Sequence, residues 1–114
     1  MTTIKVVNIN KTKKYSKKPF RVKDELYIYC GRPKSLSNPY EIGKDGDRDE
    51  VIEKFRELTD EESSILNKEI KRLIRFVRQT KPRVVVLGCH CKPLRCHCDV
   101  IKEMLDLELN PKLF

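Results

Sequence analysis

Residues 83–87 read Arg-Val-Val-Val-Leu, four consecutive apolar positions of which three are β-branched. A strand with one wet face alternates apolar and polar residues, so an unbroken run fits a strand buried on both faces. That requirement bears on the rest of the chain, because a doubly buried strand needs neighbours on both edges and cover above and below.

The remaining segments supply those parts. Residues 4–9 (IKVVNI) read as a strand, and residues 26–30 (LYIYC) as a second, stopped by Gly31, Arg32 and Pro33. Asp47 and Glu50 form a capping box for a short helix with Val51, Ile52, Phe55 and Leu58 on one face. Thr59 and Glu62 predict the cap of the next helix, where Leu66, Ile70, Leu73, Ile74 and Val77 recur at helical spacing until Lys81 and Pro82 end it. A last helix turns Val100, Ile101, Met104 and Leu105 inward and halts near Asn110 and Pro111. Two helices between two strands imply a right-handed crossover and a parallel pair. The expected architecture is a single small α/β domain over residues 1–114, with a mixed sheet, a parallel strand pair and about three helices. No internal repeat and no domain boundary interrupts it.

Charge is distributed unevenly. Residues 1–34 hold ten Lys and Arg against two acids, whereas residues 35–114 hold fifteen of each. Half of the early cations fall in residues 11–19, where five of nine residues are Lys, which reads as an exposed hairpin loop or arm. No stretch approaches the roughly 18 apolar residues of a membrane span, and the first residues lack a signal-peptide pattern. An intracellular location without membrane contact is the expectation. The chain has no Ala, one Gln and many Lys, Ile and Glu, a bias shared with hyperthermophile proteins. Such proteins can carry structural disulfides inside the cell, which leaves the cysteines open to more than one reading.

Residues 88–99 read G-C-H-C-K-P-L-R-C-H-C-D, so four of the five Cys and both His of the chain fall within ten positions. This loop leaves the carboxyl end of the buried strand and enters a helix N-terminus, where open α/β sheets bind ligands and free N–H groups favour an anion or a thiolate. Four readings of the loop stand side by side. Cys89 and Cys91, two apart and so on one face of extended backbone, can be joined by Cys96, His97 and Cys98 to close a tetrahedral zinc site, although the spacing is not that of paired C-x2-C motifs; Cys89, Cys91, Cys96 and His97 are the expected ligands. Cys96 can be a reactive thiol, its pKa depressed by the helix terminus, Arg95 and His97, with His97 beside Asp99 as an oriented base and Cys91 as resolving thiol. The cysteines can be structural, as small buried residues or pairs. Finally, Gly88, Cys91 and their neighbours can shape a ligand pocket in which His97 or Asp99 makes contact.

A parallel arrangement of strands 26–30 and 83–87 brings Gly31 and Arg32 to the same sheet edge. Arg32 is a planar, permanently charged donor suited to phosphate or carboxylate, and Gly31 permits close backbone approach. Asn38, held extended by Pro39, belongs to a loop able to cover the pocket.

Several blocks of the chain together resemble a known family: Val6 to Ile9; Gly31, Arg32 and Pro33; Asn38, Pro39 and Tyr40; Ile42, Gly43, Asp45 and Gly46; Val51, Ile52, Phe55 and Arg56; and the final block of Leu87, Gly88, Cys89, Cys91, Pro93, Leu94, Cys96, His97, Asp99 and Val100. It is similar to an uncharacterised family of small phage, bacterial and archaeal-virus proteins known only as a domain of unknown function. The resemblance implies an α/β fold and a viral or mobile-element setting, hence a host-cell cytoplasm, and assigns no activity. The Lys- and Ile-heavy composition suits a virus of a hyperthermophilic archaeon. Family members usually carry Trp where His90 stands and Gly where Cys98 stands. That leaves Cys89, Cys91, Cys96, His97, Asp99, Arg32 and Asn38 as candidates for a shared site.

The function expected from these features is a pocket for a nucleotide or other anionic small molecule, formed by Gly31, Arg32 and residues 88–99. The alternatives are non-specific nucleic-acid binding and a zinc-binding or thiol enzyme. The nucleic-acid reading rests on the Lys-rich arm and on Lys68, Lys71, Arg72, Arg75 and Arg78 of the long helix. A second copy of the chain is a further candidate partner.

Overall fold

The computed structural model describes residues 2–9, 20–30, 36–90 and 94–111. The Lys-rich arm, Gly31, Arg32 and Cys91 lie outside the described residues. Within them the chain forms strands β1 (Thr3–Asn8), β2 (Phe20–Val22) and β3 (Glu25–Tyr29), helices α1 (Arg48–Asp60) and α2 (Ile65–Thr80), strand β4 (Val84–Cys89) and helix α3 (His97–Leu109). The strand order is β1-β4-β3-β2. β4 pairs in parallel with both β1 and β3, and β2 closes the edge antiparallel to β3.

The expected mixed sheet with parallel strands is thus present, with β4 paired on both edges. Its register sets Ile4, Val85 and Leu26 in one row across the sheet, and Val6, Leu87 and Ile28 in the next. Both rows pack into a single core with Phe55 of α1, Val77 of α2 and Val100, Ile101 and Leu105 of α3. On the opposite face Val86 and Tyr27 are also buried, so the unbroken apolar run of β4 is covered on both sides. Phe20 contributes there by stacking flat on Tyr27, ring centroids 5.0 Å apart. β2 lacks a signal of its own in the sequence; it is three residues long, none of them buried, and pairing with β3 defines it.

The capping box at α1 forms as expected, with Glu50 N–H donating to Asp47 Oδ1 at 2.8 Å and Asp47 N–H to Glu50 Oε1 at 3.1 Å. The turn before it requires glycine, because Gly46 has φ +137° and an added Cβ would sit 2.8 Å from Glu50 Cβ. α1 is longer than its sequence signal, 13 residues, and it absorbs the Thr59 expected to cap α2. Thr59 is buried and its hydroxyl donates back to the Arg56 carbonyl at 2.6 Å, which keeps it helical. Ser64 is the cap instead, accepting from Asn67 N–H at 3.0 Å. The five apolar residues expected on α2 are all buried. Lys81 takes the left-handed conformation (φ 48°) that ends the helix ahead of Pro82.

α3 packs against β1 and β4 and meets both α1 and α2, which also pack on each other. Its far end is tied down by Asn110, whose amide donates to the Thr2 carbonyl at 2.6 Å and to Asp106 Oδ1 at 3.1 Å. Leu87→Ala removes a fully buried side chain from the central row and should destabilise by about 2–5 kcal/mol, read as a lower urea midpoint with unchanged slope. Ile65→Ala, at a position 72% exposed, should stay within about 0.5 kcal/mol of the parent.

Candidate functional site

β3 and β4 end at the same edge of the sheet, and their exits are joined by a hydrogen bond from Cys30 N–H to the Gly88 carbonyl at 3.0 Å. β4 runs two residues further than the apolar run, through Gly88 and Cys89. Alternation along the strand then puts the Cys89 side chain on the helix-covered face, after Val85 and Leu87. α3 starts at His97, with Cys96 in the N-cap position and Cys98 in the first turn. The two segments meet in the core. The sulfur atoms of Cys89, Cys96 and Cys98 lie within 4.8 Å of one another, and the Cys96 thiol donates to Cys89 Sγ at 3.4 Å. Cys30, just past the end of β3, is buried in the same core cluster and lies near enough to the Cys98 thiol to raise its pKa. These four residues are at most 2% exposed.

The cluster can hold a metal ion. It contains Cys89 and Cys96 of the expected ligands together with Cys98, also weighed for the zinc site, but not His97; Cys91 lies outside the described residues. His97 is engaged elsewhere, its Nε2 lying 2.7 Å from the Cys30 carbonyl. A carbonyl only accepts, so Nε2 carries the proton there. The ring also packs edge-on against Phe55 at 5.2 Å. The Asp99 carboxylate accepts from Cys96 N–H at 3.0 Å and so completes the helix start. His97 and Asp99 therefore both stand in the first turn of α3, as expected, with hydrogen bonds to backbone groups.

The expected depression of the Cys96 pKa is not found. The hydrogen bond with Cys89, reinforced by burial, pushes the Cys96 thiol up to about 12. Contact with Cys30, then with Cys89 and Cys96, raises Cys98 well above its ordinary value as well. A neighbouring thiol that would become a second anion, in a site closed to water, outweighs the helix terminus.

Beside the cluster, a cleft of about 460 Å³ opens between α1, the loop before it and the start of α3. Asn38, Tyr40, Arg48, His90, Cys96 and His97 are among its lining residues. Asn38 builds the wall: its amide donates to the Val51 carbonyl at 3.1 Å and its oxygen accepts from Tyr40 N–H at 2.9 Å. Arg48 donates to the Arg95 carbonyl at 3.0 Å, and the Arg95 guanidinium pairs with Asp49 at 3.1 Å and Glu53 at 3.2 Å. Those contacts strap the approach to α3 onto α1. His90 contacts the Tyr29 hydroxyl at 3.2 Å. Gly88 is buried inside β4 and does not line the cleft. The five cations named on α2 are all exposed, away from the cleft, and two of them are paired: Arg72 with Glu69 and Arg78 with Glu108.

Sequence reasoning missed Tyr40 and Arg48 as lining residues, set His90 and Cys98 aside because the resembling family carries other residues there, and passed over Cys30. Tyr40 belongs to the block of Asn38, Pro39 and Tyr40, and Arg48 takes the first position of a capped helix, so both carried a signal. Cys30 carried none beyond its place at a strand end.

These features define a small α/β protein with a buried thiol cluster and an adjoining cleft at the carboxyl edge of parallel strands. A family model described as Domain of unknown function (DUF4326) matches residues 7–107. The chain belongs to that family. No curated protein and no solved structure matches it.

The raised thiols link stability to alkaline pH. In metal-free protein, folded Cys96 keeps its proton up to about 12, whereas an unfolded thiol releases it near 9.0. The stabilisation from the neutral thiol is complete below pH 9 and is lost as the pH climbs from there toward 12. Urea melts on either side of that lower limit should show the decline, and Cys96→Ala should make it shallower.

Proposed function

We propose that the cleft binds a small anionic molecule of nucleotide size. The observation that carries this reading is the meeting of two helix starts, Arg48 of α1 and His97 of α3, on one cleft. Each start concentrates backbone N–H groups and the positive end of a 13-residue helix, which favours phosphate or carboxylate. Arg48 adds a permanent charge, and Tyr40, Ile42 and His90 offer surface for a planar ring. The volume of about 460 Å³ lies within the roughly 300–1,000 Å³ of small-molecule sites. Arg32 and Gly31 follow Cys30 directly in sequence and would add a further donor and a close backbone approach. In this reading Cys96, His97 and Asp99 shape the anion-binding turn.

Calorimetry and thermal melts with inorganic phosphate, AMP, ADP and ATP test the proposal. At least one should raise Tm, and Arg48→Ala should weaken its binding about ten- to hundred-fold, the loss of one charge-assisted hydrogen bond. Unchanged melts with all four at millimolar concentration would remove the reading.

A second reading is favoured by the cluster of Cys89, Cys96 and Cys98: we propose that it holds zinc. Three convergent thiols are soft donors suited to that ion. Purified protein should carry close to one equivalent. A structural zinc contributes on the order of 10 kcal/mol in small modules, so chelation should lower Tm plainly. Metal-free protein with an unchanged melting curve would count against it.

A further inference from the structure

Resting on the zinc reading, we propose that Cys30 supplies the fourth thiolate, closing a Cys30, Cys89, Cys96 and Cys98 site that is structural rather than catalytic. Structural zinc takes four protein ligands in tetrahedral array, and three sulfurs within 4.8 Å of one another leave one vertex to fill. Two described side chains adjoin the group at Cys98. His97 Nε2 is 3.9 Å from Cys98 Sγ but donates its proton to the Cys30 carbonyl at 2.7 Å, so that nitrogen has no lone pair for a metal. The Cys30 thiol is buried in the same core cluster and lies near enough to the Cys98 thiol to raise its pKa.

The position of Cys30 is set by the backbone. Its N–H is bonded to the Gly88 carbonyl at 3.0 Å, which fixes it beside the exit of β4. Its sulfur is wholly buried, and its contact with the Ile28 carbonyl is long, 3.8 Å. A change of χ1 rotamer turns such a thiol at small cost. The ligands would then come from the ends of β3 and β4 and the start of α3, three segments that meet at this one edge.

The charges balance in a way the fold accommodates. Binding of Zn²⁺ releases four thiol protons to solvent and leaves a centre of net charge −2. Cys96 and Cys98 hold their sulfurs at the positive end of α3, which offsets that buried charge. With four thiolates no position remains open for water or substrate. The metal would pin β3, β4 and α3 together, and through Cys96 and His97 hold one wall of the cleft.

X-ray absorption at the zinc edge of the full-length protein reads the ligand set without any variant. Four sulfurs at about 2.3 Å are expected; three sulfurs with one nitrogen or oxygen would overturn the assignment of Cys30 while leaving zinc in place. Cobalt substitution supplies the second measurement, because the sulfur-to-cobalt charge-transfer band grows with the number of thiolates. Cys30→Ser should lose about a quarter of that band, one thiolate of four, and Cys91→Ser should lose none. The reverse pattern would make Cys91 the fourth ligand and overturn the proposal. Protein that takes up neither zinc nor cobalt, or whose mass shows the cysteines joined as disulfides, would defeat the zinc reading itself.

Discussion

Parallel pairing of β4 on both of its edges is the constraint from which the other features follow. A central strand satisfies its backbone N–H and C=O groups only through its neighbours, so β1 and β3 must lie alongside it, and here both do so in one direction. Parallel neighbours cannot be joined by a tight turn, and the chain between β3 and β4 must cross over. α1 and α2 are that crossover, and their apolar faces cover the side chains that β4 presents to them. The same geometry sends β3 and β4 out at one edge, with Cys30 bonded to Gly88.

The start of α3 is where several demands compete. Its first turn holds Asp99, which caps the helix, and His97, which reaches across to the Cys30 carbonyl. It also carries two of the three clustered thiols. A helix N-terminus lowers the cost of an anion, yet the Cys96 thiol is pushed up because Cys89 lies 3.4 Å away and water is excluded. The site therefore favours neutral thiols until a cation enters, and then favours thiolates. Such an arrangement suits metal binding better than nucleophilic chemistry, which needs an exposed thiolate at neutral pH.

Burial divides the edge into two adjoining environments. Cys89, Cys96 and Cys98 sit in the core with Ile101 and Leu105, whereas Tyr40, Arg48 and His90 face a cleft open to solvent. Cys96 belongs to both, since it lines the cleft while its sulfur meets Cys89. Whatever rigidifies the thiol cluster also fixes that wall.

Much of the fold was legible in the sequence because its signals are local. Helical spacing marked the buried residues of α2, the capping box marked the start of α1, and the unbroken run at β4 marked a strand covered on both faces. Thr59 misleads as a cap for α2, because a Thr with a Glu three residues on looks the same whether its hydroxyl caps a new helix or bonds back within an old one. β2 escapes notice because three residues carry too little pattern. For the site, the sequence by itself determined that a Cys- and His-rich loop joins a parallel strand to a helix start, and hence where a ligand or metal would be sought. Only the tertiary structure decided which of those side chains share a space. Cys89 points inward because β4 extends to it, Cys98 because it faces the core from the first turn of α3, and Cys30 arrives from another strand. Spacing along a chain measures distance in residues, whereas coordination and burial depend on the direction of each Cα–Cβ bond, which is set when strand and helix pack.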